Sequence, residues 1–488
     1  MEEFNFYLEK TKEIGYVESF SHSIASLSGL PNLKLDEVVI TESGKRGMAI
    51  DLKEDLAQVL MFEEGELKVG EAVTRTGESF KVSVGEGLLG RIVNPLIKPL
   101  DGLGPIRGEK VLKRIKGKAP PIKERKRIEK PLETGVMMVD LLVPIGYGQR
   151  ELVIGDAKTG KTTFLLQAMV SQAKKGTIPI YVAIAKKDTA LKWVEEYLKS
   201  QKVFEKSILV HTTPDDPSSL IYLAPFSGMA VAEYFRDKGK NILIVFDDLT
   251  THAKIYRQIS LLLKRTPGRD CYPGDIFHLH ASLLERAGNI EKEGREVSIT
   301  ALPVAETLEN DLSGYIQTNL MGMTDGHIFF DIVEFRKGKR PAINVFLSVT
   351  RVGNQTKTKI EREIAKWAKK ILVDCQRLAG FIKLGAELSL ESQKIIETGK
   401  RLEIIFNQSQ ETIIPRETQI ILMGLLISGF WEEKPLKRMK EEIEKILKAT
   451  EKKILPSLGE NIEKIKDLTH LQFLIEEILP QIEKILKI

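Results

Sequence analysis

The run Gly155-Asp156-Ala157-Lys158-Thr159-Gly160-Lys161-Thr162 meets every fixed position of the pattern G-x-x-x-x-G-K-[ST], and it follows directly on the apolar run Glu151-Leu152-Val153-Ile154. A buried strand that passes through a glycine-rich loop into a helix is the phosphate-binding element of an α/β fold, so this one stretch dictates a central sheet with helices packed on it. The glycines let backbone amides point inward around phosphates. Lys161 reaches toward the β- and γ-phosphates, and the Thr162 hydroxyl is placed to ligate magnesium. Thr163 to Val170 reads as the helix whose N-terminus faces the anion, with Thr163 in its first turn. Gly155, Asp156, Lys158, Thr159, Gly160, Lys161, Thr162 and Thr163 are therefore the candidate nucleotide-binding residues, for ATP or ADP with magnesium.

At 488 residues the chain exceeds one ordinary core, and roughly two to four domains are expected. A net charge of +5 with interleaved acids and bases is not the dense basic face on which nucleic-acid affinity rests. Two cysteines, Cys271 and Cys375, make neither a disulfide framework nor a zinc site, which points to a reducing compartment. The N-terminus carries acids, Glu2 and Glu3, where a signal peptide carries bases. The longest apolar window, Thr418 to Trp431, is too short to span a membrane, so any membrane role is expected to come through partners.

The layout predicted along the chain has four parts: a short N-terminal tail over 1–12, a small β-barrel over 13–83, an α/β P-loop domain over 84–357 and a helical domain over 358–488. The barrel expectation rests on short alternating runs such as Glu37-Val38-Val39-Ile40. The α/β expectation rests on apolar strands alternating with helical segments. The helical domain rests on 3.6-residue spacing with Lys and Glu on the polar face. The strand Ile242-Leu243-Ile244-Val245-Phe246 ends in Asp247-Asp248, carboxylates at the C-terminal end of a buried parallel strand. Asp247, the first polar residue after the run, is the candidate second metal residue, through water.

Pro144-Ile145-Gly146-Tyr147-Gly148-Gln149-Arg150-Glu151-Leu152, Leu223-Ala224-Pro225-Phe226-Ser227-Gly228, Pro267-Gly268-Arg269, Tyr272-Pro273-Gly274-Asp275 and Leu283-Leu284-Glu285-Arg286-Ala287 together resemble the nucleotide-binding ring subunits of F-type rotary ATP synthases. The resemblance covers roughly Tyr16 to Gln410. It is to the non-catalytic alpha type rather than the catalytic beta type. The loop has the alpha form Gly-Asp-x-x-Thr-Gly-Lys-Thr, and Ser348-Val349-Thr350-Arg351-Val352-Gly353 is similar to alpha's Ser-Val-Ser-Arg-Val-Gly.

The resemblance implies a barrel, a RecA-like P-loop domain and a helical domain. It also implies a place in a hexamer alternating with catalytic beta subunits around a central gamma shaft, with a peripheral stalk and an indirect link to a membrane sector, and no nucleic acid. The setting is the cytoplasmic face of the inner (plasma) membrane. The resemblance makes Arg351 an arginine finger for the neighbouring catalytic site. It maps the adenine pocket onto Gln408 and Gln410 and the ring-packing residues onto Phe335 and Arg340. Where the beta relatives carry the catalytic glutamate this chain has Lys186, which as a cation cannot act as the base, so little turnover is expected at its own loop. Asp188, two residues on, is the substitute to weigh, by the alternation of an extended segment. Ala157 and Lys158 depart from the alpha loop's Arg and Gln. Two other readings remain open at this point: a homohexameric export- or RNA-translocating ATPase, which needs its own glutamate, and a nucleotide-binding scaffold of an ATPase-like assembly.

Overall fold

The computed structural model describes residues 2–63, 65, 67–383, 389–458 and 462–487. Parts of the expected tail and helical domain (Met1, 384–388, 459–461 and Ile488) lie outside the described residues. The chain forms two compact units, and the middle of the sequence contributes to both: Met1–Lys126, Gly176–Glu306 and Leu312–Thr324 make the first, and Arg127–Lys175, Thr307–Asp311 and Asp325–Ile488 the second.

In the first unit, strands β1 (Gly15–Ser21), β2 (Ile24–Ser28), β3 (Glu37–Thr41), β4 (Arg46–Leu52), β5 (Ala57–Met61) and β6 (Ala72–Ser79) close into a barrel in the order β1-β2-β5-β4-β3-β6. Closure comes from β1 pairing antiparallel with β6, Tyr16 opposite Ala72. Alternate residues point inward, so Val17, Leu27, Val39, Ala49, Val59 and Val73 fill the interior. Gly47 keeps the small barrel closed, because a Cβ there would stand 2.5 Å from Val59 Cγ1. The N-terminal segment contains a helix, Glu2–Thr11. It buries Phe4, and Thr11 Oγ1 lies 3.2 Å from Thr74 Oγ1 on β6.

The same unit holds a parallel sheet in the order Arg295–Thr307, Ile242–Asp247, Ile178–Ala183, Ile208–His211, Arg91–Val93. Its strands are apolar on both faces because helices cover both, Ser218–Asp237 among them, which is buried along almost its whole length. Register places Ala183 beside Asp247, bringing the segment after one strand to the acidic end of the next.

In the second unit, strand Glu151–Asp156 runs parallel to Gly326–Phe330, and Val349–Thr350 pairs antiparallel with the start of the latter. Helices Lys359–Lys383, Leu390–Phe406, Arg416–Ile427, Leu436–Glu451 and Leu468–Lys487 form its C-terminal part. Most of the apolar window Thr418 to Trp431 lies in the helix Arg416–Ile427, which is buried from Thr418 to Leu426. No described helix is long and apolar enough to cross a membrane. The fold class implied by the sequence, with barrel, α/β P-loop domain and helical domain, is the one observed.

Candidate functional site

In the second unit the strand carrying the phosphate-loop sequence is buried through Gly155. Gly155 has φ +153, and a Cβ there would sit 2.2 Å from the Phe330 carbonyl, so no larger residue fits. Thr159 Oγ1 donates to the Asp156 carbonyl at 2.7 Å, closing the loop. Asp156 spends its carboxylate on the scaffold, accepting from Thr307 Oγ1 at 2.5 Å and from the Asn310 amide at 3.0 Å. Gly160, at φ +99, caps the 14-residue helix Lys161–Lys174 and has open space where a Cβ would be. Lys161 Nζ is set over the loop by the carbonyls of Gly155 and Asp156, 2.7 and 2.6 Å away. Thr162 and Thr163 are half-buried in the first turn, whereas Ala157 and Lys158 face solvent. Lys158 stands in the left-handed region at φ +61, so the cation added at this position projects from the loop's outer turn.

The helix behind the loop is tied to the segment carrying the two candidate glutamines by a residue that sequence reading missed. Gln167 is buried and donates to the carbonyls of Ser409 and Thr412, both at 3.0 Å. A polar residue in an otherwise apolar helix stretch is its only sequence signal. Gln408 and Gln410 differ. Gln408 is buried and its whole amide is engaged: it accepts from Met137 N at 3.1 Å and donates to Gly135 O at 2.7 Å and Thr412 O at 2.6 Å. These bonds make Gln408 a tie between segments, and both of its amide hydrogens are already donated, which leaves only the second lone pair of Oε1 for a ligand. Gln410 is exposed. Phe335 and Arg340 come together with that segment. The guanidinium of Arg340 lies 3.6 Å from the Phe335 ring centre, and the Arg340 carbonyl accepts from Gln408 N at 2.7 Å. Arg340 also borders a cavity of about 370 Å³ with Glu334, Lys339, Phe346, Glu403 and Asn407.

Arg351 is exposed on a loop that is itself firmly held. Its amide donates to Asp325 O at 3.0 Å, and the Thr350 hydroxyl donates to Pro144 O at 2.9 Å while accepting from Gly353 N at 3.0 Å. Beneath it Gln149 Nε2 donates to Glu151 at 2.6 Å and to Thr350 at 3.2 Å. Burial pushes the Glu151 carboxyl well above the usual carboxylate range, with the Gln149 bond and the nearby Arg351 charge only partly opposing it. Arg150 clamps Asp325 through Nη2 at 2.6 Å and Nε at 3.1 Å.

In the first unit the strand-end acids are neither exposed nor unpartnered. Tyr181 OH donates to Asp247 Oδ2 at 2.5 Å, and Lys186 Nζ stands 2.9 Å from both Asp247 Oδ1 and Asp248 Oδ2. Burial works against the Lys186 charge, but the two carboxylates outweigh it and hold its pKa above that of a free lysine. The alternation argument for Asp188 does not apply. Ala185 adopts φ +50, which bends the chain, and Asp188 opens the next helix with its side chain out in solvent, 3.0 Å from His211 Nε2. Thr162 and Asp247, the two candidate metal residues, belong to different compact units. Among the described residues no cluster of three or more His, Cys, Asp or Glu offers a metal cage.

Residues 135–350 match the model of the ATP synthase alpha/beta family, nucleotide-binding domain, and residues 357–482 that of the ATP synthase alpha/beta chain, C-terminal domain. The chain is 42% identical over 458 residues to ATP synthase subunit alpha of Dictyoglomus thermophilum, covering 93% of this chain and 90% of that one. It is 43% identical over 439 residues to ATP synthase subunit alpha of Dictyoglomus turgidum, covering 90% and 86%.

Proposed function

We propose a specific role for this chain, which belongs to the ATP synthase alpha/beta family: it is the non-catalytic, nucleotide-binding alpha subunit of an F-type ion-translocating ATP synthase. The observation that carries the non-catalytic part is Lys186. A general base for water attack must be a carboxylate free to accept a proton. At that position the chain has an ammonium locked between Asp247 and Asp248. The same observation disfavours the homohexameric export- or RNA-translocating ATPase.

The loop amides between Gly155 and Gly160, with Lys161, Thr159 and the first-turn Thr162 and Thr163, cradle the phosphates of ATP or ADP at the helix N-terminus. The chemistry of the donors fits: an open glycine cap, an ammonium set over the loop and a half-buried hydroxyl. Thr162 is the residue that would ligate magnesium, and magnesium there would supply charge neutralisation on the phosphates. Phe335, Arg340 and the exposed Gln410 form the base side of the site. Lys158 and Asp156 shape it from outside and beneath.

Arg351 is the arginine finger, presented from a rigid loop to a catalytic beta neighbour, where its planar guanidinium stabilises charge on the γ-phosphate. The remaining partners in this reading are a gamma shaft, a peripheral stalk and, through them, a membrane sector. They place the chain on the cytoplasmic face of the inner (plasma) membrane. The functional division we propose is 1–12 as an N-terminal tail element, 13–83 as the ring-forming barrel, 84–357 as the nucleotide domain and 358–488 as the helical domain facing the shaft.

The test is ATP turnover by the purified chain alone and mixed with its catalytic partner. The chain alone is expected to be silent. Arg351→Ala is expected to lower the mixture's turnover by about a hundredfold or more, with Arg351→Lys recovering little of it. Efficient turnover by the chain alone would restore the homohexameric reading.

A further inference from the structure

Asp247 and Asp248 are 5% and 1% exposed. Two buried carboxylates on consecutive residues repel each other and have lost their water, so each oxygen needs a partner. Three of the four are met by neutral or backbone donors: Tyr181 OH on Asp247 Oδ2, the Thr251 amide on Asp248 Oδ1 at 2.6 Å and the Thr251 hydroxyl on Asp248 Oδ2 at 3.1 Å. These donors satisfy hydrogen bonding but leave the negative charge uncompensated. The ion-pair partner of both is Lys186 Nζ, 2.9 Å from Asp247 Oδ1 and 2.9 Å from Asp248 Oδ2, which offsets half of their joint charge.

The backbone delivers that atom deliberately. After strand Ile178–Ala183, Ile184 N donates to Asp247 O at 2.8 Å. Ala185 then turns at φ +50, and the amides of Ala185 and Lys186 are pinned to Thr212 Oγ1 and Thr212 O at 3.0 and 2.9 Å. The ammonium thus sits at the point on which the two carboxylate oxygens converge, the point at which a divalent ion would be held by one or two carboxylates. A cation already there occupies that point and halves the charge that would attract a second cation.

We propose that Lys186 is the built-in counter-ion of Asp247 and Asp248, so that these two acids, contrary to the metal role expected of Asp247 from its place at the strand end, hold no divalent metal in this chain. The residues present do not fit a magnesium ion at Asp247 as they fit one at Thr162. A consequence, which rests on the nucleotide-binding reading above, is that any magnesium dependence of nucleotide binding comes from the phosphates and Thr162 alone.

The experiment needs neither nucleotide nor partner. Mn²⁺, a paramagnetic probe for magnesium, is titrated into the full chain, and the free ion is followed by its spin-resonance signal. Wild type is expected to show no tight site. Lys186→Ala is expected to gain one site at least about tenfold tighter than anything in wild type, because the two carboxylate charges then match the ion's charge instead of being half offset by an ammonium. Adding Asp247→Asn to that variant is expected to abolish the site. If wild type and Lys186→Ala bind Mn²⁺ alike, whether both do or neither does, Lys186 is not what keeps metal out and the proposal falls. Lys186→Gln, close in shape and neutral, replaces the alanine variant if that fails to fold. Failure here leaves the phosphate loop and Arg351 untouched, and failure of the turnover test leaves this counter-ion untouched.

Discussion

One side-chain amide can donate twice and accept, and Gln408 does all three, joining Gly135, Met137 and Thr412 around the helix behind the phosphate loop. Gln408→Ala would take away the Met137 amide's acceptor and one of two donors from each of the Gly135 and Thr412 carbonyls, which keep the Ile414 amide and Gln167, at a cost of about 1–3 kcal/mol. The check is a urea titration, with nucleotide affinity measured on the folded protein. Gln408→Ala is expected to lose stability first, whereas Gln410→Ala is expected to keep its stability and lose affinity. What was legible at this scale was whatever depends on residue type at fixed spacing: the two loop glycines, Lys161 and Thr162. Lys186 was legible as a missing carboxylate, but its bond to the strand-end acids was not. That bond depends on a left-handed Ala185, a conformation that alanine does not advertise. Gln167 and Gln408 were opaque for a related reason. Whether a glutamine reads a ligand or ties two segments is decided by which carbonyls lie across from it, and no local spacing encodes that.

The helix Arg416–Ile427 shows how an element's surroundings set its composition. Every residue from Thr418 to Leu426 is buried, so no polar face survives, and Gly424 lets the helix Leu468–Lys487 come close enough that a Cβ would stand 2.6 Å from Ile475 Cγ1. Gly424→Val is expected to overpack this contact and cost about 1–3 kcal/mol, helix propensity offsetting only a little of it. The sharper test is the pair: Ile475→Ala alone opens a cavity, and Gly424→Val with Ile475→Ala is expected to be more stable than the sum of the two singles predicts, by calorimetry or denaturant. Elements with clean periodicity were legible: the alternating barrel strands, the apolar sheet strands and the lysine- and glutamate-rich helices. The helix Glu2–Thr11 was not read as one, because its hold on the barrel through Phe4 and Thr11 belongs to tertiary structure rather than to its ten residues.

At the scale of the whole molecule the buried titratable groups make stability depend on pH in opposite parts of the range. In the first unit His252 and His280 are buried side by side, with Nδ1 and Nε2 2.9 Å apart, and His252 Nε2 is 2.9 Å from the Tyr222 carbonyl. This geometry works with each ring neutral: His280 donates to His252, which donates to Tyr222. Burial lowers the His252 pKa to about 4, the Tyr222 carbonyl opposing only in part, and burial with the neighbouring ring lowers His280 well below its ordinary value. Both folded values lie under the unfolded one, about 6.5, so below that pH the unfolded chain takes up protons that the folded chain refuses. Stability therefore falls as pH drops from about 6.5 toward 4, by about 2 kcal/mol at pH 5 from His252 alone, with His280 adding to it. In the second unit burial, with Lys369 adding repulsion, lowers Lys357 to about 7. The sign is the same, in a higher window: between about pH 7 and 10.4 the unfolded chain keeps a proton that the folded chain has shed, so stability rises with pH there as well. These groups are therefore expected to raise urea midpoints from pH 5 to 7 and from 7 to 9, with the buried Glu151 and Asp140 carboxyls, both held above the usual carboxylate range, offsetting part of the gain. His280→Gln, which keeps an N–H for His252 but cannot take a proton, is expected to shrink the step between pH 5 and 7 while leaving the step between 7 and 9 intact. If the variant's acid step equals wild type's, the histidine pair is not the source of the acid lability, and the surface carboxylates must carry it.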